Sequence, residues 1–225
     1  MKRVLFITTS HNDLGDSGVK TGVWLEEVAT PYYRLREESI QVEIASIEGG
    51  NIPIDPLSES EDWMTEDTIR FKGDKEAMYL MNTSLSLREV NPSEYDLVYF
   101  PGGHGPMWDF VNNPLLNNTL QHFIQEDKVI AAMCHGVSVL VDALDADGNT
   151  FVKGRKITSF ADSEEIGVGA DKLVPFLLES NLTELGGIYS KGNDFSSYTI
   201  VDKKLITGQN PASASGVAVE MIKSL

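Results

Sequence analysis

Short apolar runs recur along the chain, each bounded by polar residues or glycine: RVLFIT (3–8), QVEIASI (41–47), YDLVYF (95–100) and KVIAAM (128–133). Runs this short and this rich in β-branched and aromatic residues predict strands. Between the first two lies TGVWLEEVATPYYRLREES, whose apolar positions recur at helical spacing, with Pro31 expected to kink or divide the helix. NPLLNNTLQHFIQE, between the third and fourth, has the same period. Strands alternating with helices predict an α/β fold, a doubly wound, mainly parallel sheet sandwiched by helices.

Beyond residue 134 the pattern is less regular. GVSVLVDALDADG reads as a helix running into a turn, FVKGRKIT (151–158) as a hairpin around Lys153-Gly154, and VPFLLESNLTELGG (174–187) as a helix ended by glycine. SYTIVD and KLITG read as weaker strands before a last helix, ASASGVAVEMIKSL. Residues 49–91 are rich in turn formers and give no assignable element. With no repeat, low-complexity tract or long polar linker, residues 1–225 are expected to form a single domain.

Composition narrows the function classes. The 225 residues include 18 basic and 34 acidic side chains, a formal charge of -16, which would repel phosphate backbones and anionic membranes. Neither nucleic acid nor membrane is expected as a partner. A single cysteine forms no internal disulfide, the apolar run of MKRVLFITTS is shorter than a signal-peptide core, and no segment is long enough to span a bilayer. The expectation is a soluble cytoplasmic protein.

That cysteine, Cys134, lies in KVIAAMCHGVSVLVDA, at the end of a strand and just before His135 and Gly136. An unpaired cysteine is most often a small buried hydrophobe. Here strand, Cys-His-Gly and helix together suggest a nucleophile elbow, a sharp turn that exposes its tip residue and aims backbone N–H groups at one point. The following helix would lower the thiol pKa and make thiolate available near neutrality. PGGHGPMW (101–108), after the preceding strand, reaches the same rim of the sheet, and its glycines let an N–H face an oxyanion. His104 fits either packing support or substrate contact, whereas His11 and His122 read as peripheral. No histidine follows His135, so the base is His135 or lies upstream. A carboxylate to orient an imidazole could come from Asp162, Glu164 or Glu165 in ITSFADSEE. No ligand pair is close in sequence, and no metal is expected.

KTGVWLEE, EIASIEGGNIPIDP, PGGHGPMWD, AAMCHG, ITSFADSEE and LITGQNPASA together span most of the chain. In these runs the sequence resembles the superfamily of the Parkinsonism-associated deglycase and the intracellular cysteine proteases, with its flavodoxin-like, class I glutamine amidotransferase-like fold. Within it, the runs are similar to the glyoxalase III branch, which also includes small heat-shock-induced chaperones of the stress response. The resemblance implies Cys134 as nucleophile, His135 and Glu165 as the other triad members, and Glu27 beside the thiol, with Glu164 and Glu26 as competitors one residue away. It implies conversion of methylglyoxal or a related 2-oxoaldehyde to a 2-hydroxy acid without glutathione, a lyase activity also called D-lactate dehydratase. Gly103 and His104 would contact substrate, no cofactor is required, and the protein would be a homodimer. A cysteine amidase or peptidase and a holdase chaperone are the alternatives.

Overall fold

A computed structural model describes residues 1–225. In chain order it contains β1 (Arg3–Thr8), α1 (Leu25–Glu37), β2 (Gln41–Ser46), α2 (Glu66–Gly73), α3 (Lys75–Asn82), β3 (Leu85–Ser86) and β4 (Leu97–Phe100). It continues through α4 (Pro106–Asp109), α5 (Pro114–Gln125), β5 (Val129–Met133), a 3₁₀ segment at Cys134–Leu140, β6 (Lys156–Ile157) and α6 (Asp162–Gly167). The remaining elements are α7 (Leu178–Glu184), β7 (Ile188–Tyr189), β8 (Thr199–Asp202), β9 (Leu205–Gly208) and α8 (Ala214–Ser224).

Seven strands form one sheet in the order β3-β2-β1-β4-β5-β9-β8, parallel except for the β8–β9 pair at one edge. This is the mainly parallel α/β sandwich expected from the alternation of strands and helices. The central strands β1, β4 and β5 are nearly unbroken apolar runs because both faces are covered, whereas β2 keeps Gln41 exposed and Glu43 half-buried. Along β1, Val4 and Phe6 join the core under α1 and α8, while Leu5 and Ile7 join the core under α5. No helix is long and apolar enough to cross a membrane.

Several expectations are corrected. Pro31 does not divide α1, which runs unbroken through it. A proline has no N–H to give the carbonyl one turn earlier, here that of Glu27. The Tyr99 hydroxyl of β4 donates to that carbonyl instead, at 2.7 Å, and both groups are buried. Residues 151–158 form no hairpin. Phe151 and Val152 are buried in successive turns, the Gly154 N–H donates to the Gly186 carbonyl, and β6 pairs in parallel with the distant β7. The segment after Cys134 is a 3₁₀ helix ending at Leu140, buried at every position, so it has no polar face to show. The helix expected over 174–187 is confined to α7, and Gly186 does end it at φ 91°.

The unassigned stretch 49–91 holds α2 and α3, each with only two buried residues (Thr68 and Phe71; Ala77 and Met81). Helices that bury so little leave a thin periodic signal. Their boundaries are set by side-chain caps: Thr65 accepts from the Thr68 N–H, and Asp74 from those of Glu76 and Ala77.

The Pro31–Tyr99 arrangement is testable. Tyr99→Phe strands a buried carbonyl, so we expect a loss of about 1–3 kcal/mol in chemical denaturation. In a Pro31→Ala background, where the helix supplies its own N–H, the same change should cost clearly less.

Candidate active site

β5 delivers the chain to Cys134, which sits at φ 52°, a left-handed conformation uncommon for a residue with a side chain. The turn is tight because the neighbouring loop presses on it. A Cβ on Gly102 would lie 2.7 Å from the His135 nitrogen and 2.9 Å from the Cys134 Cβ, and one on Gly136 would lie 2.3 Å from the Phe100 carbonyl oxygen. Gly103, at φ 85°, has the same property against Gly22 and Trp24. Only glycine fits at these contacts. The backbone N–H groups of Gly103 and His135 both reach the sulfur.

His135 Nδ1 lies 3.4 Å from Cys134 Sγ, while its Nε2 lies 2.6 Å from Glu165 Oε2. An Nε2–H donating to that carboxylate leaves the Nδ1 lone pair facing the sulfur, so Glu165 selects the tautomer. His104 Nε2 lies 2.8 Å from the other oxygen, Glu165 Oε1, and its ring centroid is 4.3 Å from that of His135. Phe160 covers His135 at 4.6 Å between centroids. Burial opposes ionisation of Glu165, but attraction to His135 and hydrogen bonds from both imidazoles outweigh it and hold the carboxyl well below its ordinary range. Burial lowers the pKa of His135, so its ring is neutral at pH 7.

Glu27 enters from α1, fully buried. Its Oε2 accepts from the Gly102 N–H at 2.7 Å, Oε1 has no partner, and the carboxyl's other polar neighbour is the Cys134 thiol. Burial raises its pKa to about 8, so the carboxyl is mainly protonated at neutral pH. Burial likewise raises the thiol, with Glu27 adding to the effect and the Gly103 and His135 N–H groups opposing it. This corrects the expected lowering of the thiol pKa. The sulfur is enclosed, and the chain leaves it in a short 3₁₀ turn rather than a long helix.

The fold therefore brings Cys134, His135, Glu165, Glu27, Gly103 and His104 to one place, and it separates the competitors. Glu26 accepts from the hydroxyls of Thr65 and Thr30, on the side of α2. Glu164, fully buried, takes hydrogen bonds from the N–H groups of Ala161 and Phe195 and from the Asn210 side-chain amide. Of the peripheral histidines, His11 stacks on Trp108 and His122 lies near Lys128. One grouping invisible to sequence spacing is His104, His135 and Glu165, whose potential metal-ligand atoms lie within 4.8 Å of one another. A metal would have to displace the two hydrogen bonds to Glu165. The sequence also gave no direct sign of the walls of the cavity over the sulfur, formed in part by Trp24, Trp63, Phe160 and Phe195.

A sequence model described as the DJ-1/PfpI family matches residues 19–224. The chain belongs to the DJ-1/PfpI family. Among curated relatives of this family, the chain is 30% identical to the glutathione-independent glyoxalase HSP31 of Saccharomyces cerevisiae, covering 100% of this chain and 98% of that protein. It is 27% identical to glyoxalase 3 of Candida albicans over 99% and 98% of the two chains. Among solved structures, the Rapid Encystment Protein 24 KDa of Francisella tularensis superposes with a TM-score of 0.95 at 42% identity, over 100% and 99% of the chains. Glyoxalase III of Candida albicans gives 0.90 at 25%, over 100% and 97%.

The raised pKa of Glu27 makes a stability prediction for this family member. An unfolded glutamate loses its proton near pH 4.5, whereas folded Glu27 keeps it to about pH 8. The folded state binds more protons in that window, so stability falls as pH rises through it, by up to about 1.4 kcal/mol per pH unit. Denaturation of Glu27→Gln between pH 5 and 8 should show a flatter profile than the parent protein. Parallel profiles would place the charge elsewhere.

Proposed function

We propose that this chain is a glutathione-independent glyoxalase, converting a 2-oxoaldehyde to the corresponding 2-hydroxy acid through a covalent adduct on Cys134. The observation that carries the reading is the buried Glu27 carboxyl beside the thiol, its Oε1 unpartnered. Acyl transfer by a peptidase needs the thiol and an imidazole but has no use for a protonated carboxyl at the sulfur. An internal oxidation and reduction across two adjacent carbons needs a group that takes a proton from one and returns it to the other. The glyoxalase names carried by full-length relatives support the same reading.

In the proposed cycle, the reactive form of the site holds one proton between sulfur and carboxyl. The thiolate adds to the aldehyde carbon, forming a C–S bond, and the developing oxyanion is met by the Gly103 and His135 N–H groups. The Glu27 proton passes to that oxygen and completes the hemithioacetal. Glu27, now a carboxylate and freed of the neighbouring thiolate charge, removes the hydrogen of the former aldehyde carbon to give an enediolate, with the charge on the former ketone oxygen. The carboxyl then returns a proton to the adjacent carbon while the hydroxyl proton on the former aldehyde oxygen moves to the former ketone oxygen, leaving a thioester of the 2-hydroxy acid. His135, held neutral with Nδ1 towards the sulfur, takes a proton from water as the water attacks the thioester. Its proton then goes to the departing sulfur. Carbon is oxidised at one atom and reduced at its neighbour, so the electrons balance without an external donor or acceptor.

Incubation with methylglyoxal in the absence of any added thiol, with product identification, tests the proposal. Lactate should form, and Cys134→Ala should form none while keeping its fold. Glu27→Gln should still form the hemithioacetal yet lose about 10²–10⁴-fold in turnover and exchange no substrate hydron with D₂O. Normal turnover by Glu27→Gln would sink this mechanism. Cleavage of a chromogenic peptide, dependent on Cys134, would favour the peptidase instead.

A second test concerns Glu165. Replacing it by Gln keeps the shape but removes the charge that both imidazoles face, and the amide nitrogen can itself turn towards a ring. Turnover should fall at thioester hydrolysis, so mass spectrometry after mixing with methylglyoxal should find an acyl adduct on Cys134 accumulating.

A further inference from the structure

The cavity over Cys134 is larger than the chemistry at its floor requires. It encloses about 540 Å³, whereas methylglyoxal, with five non-hydrogen atoms, fills on the order of 100 Å³, the share of about three waters. The remaining space is walled mainly by apolar side chains. Trp24 and Trp63 meet edge to face at 5.3 Å, and Phe160 continues from the His135 ring to Phe195, 6.4 Å away.

The polar side chains along these walls already have partners within the protein. Asp55 accepts from the Thr21 hydroxyl and the Leu57 N–H, Lys20 pairs with Asp13, and the Asn210 amide donates to Glu164 and to the Ser196 carbonyl. They offer little to a polar substrate tail. The walls are also held in place. Phe195 sits at φ 57°, a strained conformation for an aromatic residue. Its N–H is fixed at 2.6 Å by the buried Glu164, on the same oxygen that holds Asn210. Despite that anchoring Phe195 remains 43% exposed, as Trp63 remains 39% exposed. Large rings fixed in position but left uncovered are ready-made contact area for a ligand.

We infer that the site is built for 2-oxoaldehydes whose ketone carbon carries a bulky apolar group, such as an aryl ring, seated among Trp24, Trp63, Phe160 and Phe195. This rests on the glyoxalase reading and names the substrate class within it. The bond changes are those already described, with the apolar arm a spectator. Burying an aryl ring rather than a methyl group removes enough additional apolar surface from water to raise kcat/KM about tenfold or more.

The experiment compares phenylglyoxal with methylglyoxal on the full chain, following mandelate and lactate. The expected result is a phenylglyoxal kcat/KM at least about tenfold higher, expressed chiefly in KM. Trp63→Ala and Phe195→Ala, each checked for an unchanged unfolding midpoint, should lower the phenylglyoxal-to-methylglyoxal ratio several-fold. Competition by added product gives a second measure, with mandelate inhibiting at lower concentration than lactate. Equal or better use of methylglyoxal would overturn the inference and leave the glyoxalase intact. A phenylglyoxal preference unmoved by either substitution would overturn the assignment to these rings. Failure to turn over either aldehyde would overturn the glyoxalase reading and this inference with it.

Discussion

The site depends on the close approach of two backbones. Between the loop after β4 and the turn after β5 there is no room for a Cβ at Gly102 or Gly136, and the Cys134 backbone is turned to φ 52° where they meet. That contact dictates the rest of the geometry. The Gly103 and His135 N–H groups converge on the sulfur, and the Gly102 N–H, left facing α1, is satisfied by Glu27. A side chain at either glycine would separate the loops and release these donors together. Close packing here sets the chemistry as well as the stability.

Three buried glutamates show how one residue type is put to different uses. Glu165 faces two imidazoles and is held as an anion. Glu164, its neighbour in sequence, is engaged by two backbone N–H groups and an amide, and serves the walls of the cavity. Glu27 has one backbone donor and a thiol, too little to offset its burial, and so retains its proton. The hydrogen-bond donors and neighbouring charge, rather than burial alone, decide between Glu165 and Glu27.

Much of this was legible in the sequence, and the boundary of legibility has a physical cause. The central strands β1, β4 and β5 announce themselves because a doubly covered parallel strand must be almost continuously apolar, and β2 by short alternation that ends in an apolar stretch. The elbow could be read from Cys134, His135 and Gly136 at a strand end. Glu26 against Glu27, and Glu164 against Glu165, could not be separated by spacing, since adjacent helical residues differ by about 100° in direction and only packing fixes the rotation. The resemblance to known proteins named the pairs, and α2 and the Phe195 loop account for the other member of each. A helix start in the sequence predicts a lowered thiol pKa, whereas the enclosure that raises it is built by residues distant along the chain. The pairing of β6 with β7 was invisible because it joins segments distant along the chain.

Pro31 ties these scales together. Placed inside α1, it withholds the N–H that the Glu27 carbonyl would otherwise receive, and the Tyr99 hydroxyl, reaching across from β4, takes that place. Glu27 is then gripped twice from one direction: its main chain by the Tyr99 side chain of β4, and its side chain by Gly102 in the loop that β4 leads into. A helix docked only by apolar contacts can slide or rotate slightly at little cost, whereas two directional bonds to one strand and its loop fix both height and rotation. The carboxyl is thereby located relative to the sulfur by the strand that also supplies the glycine loop, so variation in the outer walls of the cavity can occur without moving it.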